Sequence, residues 1–432
     1  MTGVAAHEVA SARARPTNVT TPGATPGTLL GARRDLPDDP ASRGSPNGTS
    51  GATPNGTLDY DVHGVLGVRL VDAAPADVRA AERHLRGFRR PLGRAPDLVV
   101  RFVDHLPADG LGCVDVERSA YGSQGYQLRG AGARAGWVRV PFEQLGEACE
   151  LVAERGVGQI PYFKPMLRLA ALHRGYVPLH ASAFALDGAG VVVTGWTHGG
   201  KTSALLAFAE HGARFVGDDL VLLAPDGARM YGLGTPLNVS AAQLRQSGRL
   251  RRHVGRCRYA ALAAFDRADR AEARLGDRWP AGAASLAVLR KATRPIRRRV
   301  GVHLPPERAF WNGVEPSVRP RTLFLMTSQR AAAVRVEPAD PVEVAERMLH
   351  SMRFEDLALF GEYLAFRFAF PQAGCANARI EAAHELARAR LRQAVAGLDA
   401  YVVRHPYPAP LRALYDAMRP FCAGDAAHLP ST

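Results

Sequence analysis

Apolar and polar positions follow no period in the first stretch of the chain. Residues 1–57 are rich in Thr, Pro, Gly, Ala and Asn, and Pro-Asn-Gly-Thr occurs at Pro46–Thr49 and again at Pro54–Thr57. Such a segment cannot bury enough apolar surface to order itself, which predicts a disordered tail. Strand patterns follow at Val65–Leu70 and Leu98–Val103. Between them Pro75–Phe88 carries Val78, Ala81 and Leu85 at helical spacing. Short strands are predicted at Tyr126–Leu128 and Gly136–Val140, and a helix at Phe142–Glu154. Residues 58–160 thus read as a small α/β domain that shapes a substrate site or braces the core.

Pro161–Leu172 has a helical pattern with proline at its start. From Leu179 the pattern becomes strand, turn, strand, loop, helix, strand. His180–Leu186 is the first strand, Asp187-Gly188 a hairpin turn, and Gly190–Thr194 the uninterrupted apolar run of a strand covered on both faces. Lys201–Glu210 reads as a helix, Arg214–Val216 and Leu220–Leu223 as strands. Arg245–Arg299 is basic, Ala-rich and helical in part. Arg321–Met326 is a further strand, Pro341–Arg353 and Ala376–Ala394 are amphipathic helices, and Pro408–Ala417 is a terminal one. The expected architecture is α/β, with a mixed or largely parallel sheet in residues 161–400 and a helical tail at 401–432.

Composition narrows the class. The 432 residues are 47% hydrophobic and 22% charged, the balance of a globular protein, and no stretch has the ~20 uninterrupted apolar residues of a membrane span. The five cysteines are scattered without a CxxC pair, which argues against a disulfide framework or a zinc site and fits a reducing cytoplasm. The net charge of +14 is nearly all arginine; Lys164, Lys201 and Lys291 are the only lysines. A basic chain permits nucleic acid or acidic ligands, but no nucleic-acid motif accompanies the charge.

The chemistry is carried by Gly195-Trp196-Thr197-His198-Gly199-Gly200-Lys201-Thr202, a full match to G-x-x-x-x-G-K-[ST] between an apolar strand and a helix. Glycines let backbone N–H groups close around phosphate oxygens. The helix then aims its free amides, Ser203 included, at the same phosphates. Lys201 neutralises the terminal phosphates and the Thr202 hydroxyl can ligate Mg²⁺. Asp218-Asp219 follows the next strand, a pairing suited to holding a metal or taking a proton from a nucleophile. His180 lies one hairpin before the glycine-rich loop.

In this order, Leu179-His180-Ala181-Ser182-Ala183, Val191–Thr194, Gly195–Thr202 and Phe215-Val216-Gly217-Asp218-Asp219 resemble the catalytic domain of bacterial HPr serine kinase/phosphorylase. They are similar also to the nucleotide core of ATP-dependent phosphoenolpyruvate carboxykinase. The resemblance covers about Tyr176–Leu223. It implies an ATP- and Mg²⁺-dependent phosphotransferase acting on a serine hydroxyl of a protein or peptide, and the kinases it resembles are homo-oligomers. By resemblance, Lys201 holds phosphate, Thr202 and Asp219 the metal, Asp218 is the base and His180 the active-site histidine, with the roles of the two aspartates open to exchange. His198 stands where the kinases usually have glycine, and Arg319 and Arg321 are candidates for their later arginine by type alone. The alternative is a nucleotide-gated binding protein with no hydroxyl acceptor. Another is an ATPase stimulated by nucleic acid, favoured by charge alone.

Overall fold

A computed structural model describes residues 56–107, 111–115, 118–130, 136–276, 301–330 and 332–422. The expected disordered tail, except its last two residues, lies outside the described residues. So do the basic segment beyond 276 and the terminal tail from 423. Gly51–Thr432 is one compact unit.

The first half is built on strands β1 (Thr57–Val62), β2 (Leu66–Val71), β3 (Leu98–Val103), β4 (Gly112–Asp115), β5 (Ser119–Gly122), β6 (Gly125–Arg129), β7 (Trp137–Arg139) and β8 (Cys149–Glu154). They form one mixed sheet, β1-β2-β3-β8-β7-β6-β5-β4, in which β2, β3 and β8 are parallel. β8 corrects the helix expected over Phe142–Glu154. Only Phe142–Gln144 makes a short 3₁₀ turn. Gly146 then takes φ 93°, and a Cβ there would press to 3.0 Å from the His173 ring. From Cys149 the chain is extended, with Glu150 outward on Arg101 (2.7 Å) and Leu151 and Ala153 fully buried. A short buried strand and a helix turn share the same apolar density, and periodicity does not separate them.

The second half supplies β9 (Val177–Leu179), β10 (Ala181–Leu186), β11 (Ala189–Gly195), β12 (Arg214–Gly217), β13 (Val221–Leu223), β14 (Met230–Gly232), β15 (Leu237–Val239), β16 (Val302–Leu304), β17 (Ser317–Val318), β18 (Pro320–Gln329), β19 (Arg335–Pro338) and β20 (Asp399–Pro406). Six of them form a mixed sheet, β12-β10-β11-β18-β20-β19, with β11, β18 and β20 parallel. β17-β14-β13-β9 form a separate antiparallel sheet, and β15 pairs with β16.

The middle of the six-stranded sheet is covered on both faces, which is why β10, β11 and the centre of β18 are buried without alternation. Val192, Leu323, Leu325 and Val402 join the core beneath helices Phe163–His173, Pro341–Ala369 and Ala378–Val395. Val191, Val193, Phe324 and Val403 face the opposite core, beneath helices Lys201–Ala209 and Leu411–Met418. β20 spans the expected boundary at residue 400, so the stretch read as a tail supplies a strand between β18 and β19. The first core also takes in Tyr126, Phe142 and Leu151 from the eight-stranded sheet, so residues 58–160 share it with those that follow.

Candidate functional site

β11, β18 and β20 end side by side, with Gly195 opposite Met326 and Ser328 opposite His405. The carboxyl ends of parallel strands are where α/β sheets present loops to ligands. The glycine-rich loop leaves β11 there, and sterics dictate its glycines. Gly195 (φ 150°) would bring a Cβ to 2.7 Å from the Met326 carbonyl oxygen, and Gly200 (φ 102°) to 2.7 Å from His405 Nε2. A Cβ at Gly199 would lie 2.8 Å from the Trp196 carbonyl oxygen. His198 adopts φ 62° and is exposed. No side chain caps the helix that starts at Lys201, whose first-turn amides point into the loop. Buried Lys201 lies across the loop, Nζ donating to the carbonyls of Gly195 and Trp196 at 3.0 Å each.

His180 and Asp218-Asp219 converge for a topological reason. At His180 the chain passes from β9 in the four-stranded sheet to β10 in the six-stranded one. At Asp218-Asp219 it passes back, from β12 to β13. Because β10 pairs with β12 and β9 with β13, the two crossings face each other. Asp219 makes its turn at φ 72°.

The two aspartates have different surroundings. Buried Asp218 accepts from Ser182 Oγ at 2.5 Å and from Thr202 Oγ1 at 3.1 Å. Burial pushes its carboxyl up to about 6, with the charge of Asp219 adding to the effect and the Ser182 and Thr202 hydroxyls opposing it. The Asp219 side chain is 42% exposed and pairs with Lys164. Burial raises its carboxyl, but the Lys164 ammonium, with Arg168 behind it, more than offsets this, so its pKa lies below the ordinary value. Burial, opposed by the nearby carboxylates, lowers the Lys201 ammonium.

Burial, reinforced by the Lys201 charge, drives His180 down to about 4, so the imidazole is neutral at pH 7. Its tautomer follows from its partners. Ser351 Oγ lies 3.2 Å from the Gly195 carbonyl oxygen and 2.9 Å from His180 Nδ1, and both contacts are hydrogen bonds when Ser351 donates to the carbonyl and Nδ1 donates to Ser351. His180 Nε2 is then an acceptor and faces Asp219 Oδ1 at 3.5 Å. Two acceptors flanking one gap leave room for a group that carries a proton or a positive charge.

The sequence reading missed several residues of this cluster. Lys164 and Arg168 come from helix Phe163–His173, and Ser351, Glu355 and Asp356 from helix Pro341–Ala369. Glu355 accepts from Thr197 in the loop at 2.7 Å, and Arg168 faces Asp356 at 3.4 Å. Burial pushes the Asp356 carboxyl up to about 6, although Arg168 opposes it. His405, fully buried on β20, sets Nε2 2.9 Å from the Gly199 carbonyl oxygen and braces the loop from below. A cue was available for Lys164. In a chain with 55 basic residues and three lysines, two of the lysines stand in one site.

The other expected residues have the following surroundings. The Ser203 hydroxyl accepts from Gln243 Nε2 at 2.9 Å, which ties it to helix Ala241–Gln246. Arg319 and Arg321 flank Pro320 at the opposite end of β18, beside Gly190 rather than Gly195. Trp196 is half-exposed and packs on Phe354, ring centroids 4.8 Å apart. Among the described residues no group of three or more His, Cys, Asp or Glu side chains is placed to hold a metal ion. The Thr202 hydroxyl and the Asp218 carboxylate, 3.1 Å apart, are the protein oxygens here that could join phosphate oxygens in holding a cation. Compared with known proteins, the chain matches no family model and no curated sequence.

Proposed function

We propose that this protein is an ATP-dependent phosphotransferase that delivers the γ-phosphate to a hydroxyl, a serine of a protein or peptide. The observation that carries the reading is the convergence of three groups at one end of the sheet: the glycine-rich loop with Lys201, the Thr202–Asp218 pair, and the His180–Asp219 gap. We read the loop as a P-loop, whose amides and Lys201 grip the β- and γ-phosphates. Thr202 and Asp218 would hold Mg²⁺, which would supply neutralisation of phosphate charge.

Geometry favours exchanging the roles that resemblance assigns to the aspartates. Asp218 touches the Thr202 hydroxyl and is buried, which suits the metal side. Asp219 is open to an incoming group and shares its gap with His180 Nε2, which suits the acceptor side. In the reaction the acceptor oxygen bonds to the γ-phosphorus, the bond from that phosphorus to the β,γ-bridging oxygen breaks, ADP leaves, and the hydroxyl proton passes to the His180–Asp219 pair. The transition state for such transfers is loose, so positioning matters more than a strong base.

The test supplies γ-labelled ATP, Mg²⁺ and a lysate of the source organism to the wild type, Asp219→Asn and Asp218→Asn. The expected outcome is one labelled acceptor with the wild type. Asp219→Asn should bind ATP yet transfer at least ~100-fold more slowly, and Asp218→Asn should require higher Mg²⁺. ATP binding with no labelled acceptor would favour a second reading, a nucleotide-gated module. One feature supports that reading: Thr197 and Trp196 tie the loop directly to Glu355 and Phe354 of the long helix, so loop occupancy bears on that helix.

A further inference from the structure

The long helix Pro341–Ala369 changes character midway. Up to residue 353 its exposed positions include Glu343, Arg347, His350 and Arg353. Beyond it they become Phe354, Leu357, Ala358, Gly361, Leu364 and Phe368, with the four large apolar side chains 46%, 52%, 68% and 77% exposed and, Ala358 apart, in a single strip. The inward side of the same stretch is already committed, with Leu359, Tyr363 and Phe366 buried. An exposed apolar strip on a helix that already buries its opposite side marks a surface that is covered by a partner.

The strip has its own symmetry. Its spacings of three and four residues keep it on one line of the helix. Phe354 and Phe368 each stand seven residues from Gly361, and Leu357 and Leu364 stand four and three residues from it. Read in either direction the order is Phe, Leu, Gly, Leu, Phe. Among the described residues nothing calls for glycine at 361: a Cβ there would meet nothing within 4 Å. An exposed glycine in mid-helix costs about 1 kcal/mol relative to alanine, and no contact among the described residues offsets it.

We propose that this strip is the contact of a two-fold symmetric homodimer, in which the helices of two copies cross antiparallel at Gly361. The two-fold axis sets Phe354 against the partner's Phe368 and Leu357 against the partner's Leu364. The two glycines meet on the axis and let the backbones close up. This is the self-complementarity an isologous interface requires. The exposed parts of the apolar side chains, with Trp196 beside Phe354, amount to roughly 500 Å² per copy. The pair therefore reaches on the order of 1,000 Å², the lower bound for a specific interface. Because Phe354 packs on Trp196, the contact extends to the glycine-rich loop.

Sedimentation velocity of the full chain tests the proposal, with Leu364→Glu as the disrupting variant. Its partner experiment is Gly361→Cys in a chain carrying Cys113→Ser, Cys257→Ser and Cys375→Ser. The wild type is expected at twice its 46.4 kDa mass. Leu364→Glu, at an exposed position, should keep its helical circular dichroism and dissociate at least ~100-fold more readily. Gly361→Cys should oxidise to a linked dimer, whereas Arg347→Cys in the same background should not. A monomeric wild type with no Gly361→Cys cross-link overturns the proposal. So does a dimer that Leu364→Glu leaves intact. If the cross-link forms only after residues 1–55 or 423–432 are removed, a segment of the same chain covers the strip, and the second copy is overturned as its occupant.

Discussion

Asp218 is a buried carboxylate whose neighbours only partly offset its desolvation, and this makes stability depend on pH in a definite direction. Its folded pKa of about 6 lies above the ordinary 3.8. The stability associated with the protonated form is therefore complete below pH 3.8 and lost as pH rises through 6. Asn has the neutral shape at every pH. Asp218→Asn should thus exceed the wild type in thermal stability at pH 8, by up to about 3 kcal/mol, with the advantage fading toward pH 4. Equal melting temperatures for the two proteins at pH 8 would contradict the environment described for this carboxyl. Gly200 gives a second prediction at this scale. Alanine there must adopt φ 102° and press on His405 Nε2, so Gly200→Ala should cost at least about 2 kcal/mol in urea unfolding and weaken ATP binding, read by titration calorimetry.

Asn377 joins elements that are far apart in sequence. Its side-chain oxygen caps helix Ala378–Val395 through the Arg379 and Ile380 amides, while Nδ2 donates to the carbonyls of Phe142 (2.7 Å) and Leu145 (2.9 Å). Asn377→Ala removes a cap and leaves two buried carbonyls without their donor, so a loss of about 2–4 kcal/mol is expected in denaturant unfolding. The elements around the loop were legible in the sequence because each has one strong local cue: the Asp187-Gly188 hairpin, the Val191–Val193 run, and the loop itself. β20 was not legible, since Tyr401-Val402-Val403 is short and its role as a strand comes from pairing with β18, more than 70 residues earlier. The second half of the long helix was missed for another reason. Its outer face is apolar, so from Phe354 onward it lacks the amphipathic period that marks a surface helix. Glu355 and Asp356 were missed with it.

Across the whole molecule, one core links the first sheet to the half that carries the glycine-rich loop. Tyr126 and Tyr162 both donate to Glu362 of the long helix, at 2.5 and 3.0 Å, and Tyr126, Phe142 and Phe366 pack ring against ring. Residues 56–422 are therefore expected to unfold in one cooperative step, with near- and far-ultraviolet circular dichroism melting together; two separate transitions would show independent domains. No helix among the described residues is long and apolar enough to cross a membrane. The α/β class follows from the chain's patterning, and the site's lysine, aspartates and histidine could be named from their order along it. What that order could not reveal is that helices Phe163–His173 and Pro341–Ala369 supply the site's remaining charges. The central claim is that the loop at Gly195–Thr202 binds nucleoside triphosphate. Titration calorimetry of ATP with Mg²⁺ into the wild type and Lys201→Ala tests it most directly. Saturable one-to-one binding that weakens about 100-fold in Lys201→Ala is the expected result. No binding to the wild type, or equal binding to both proteins, would contradict it.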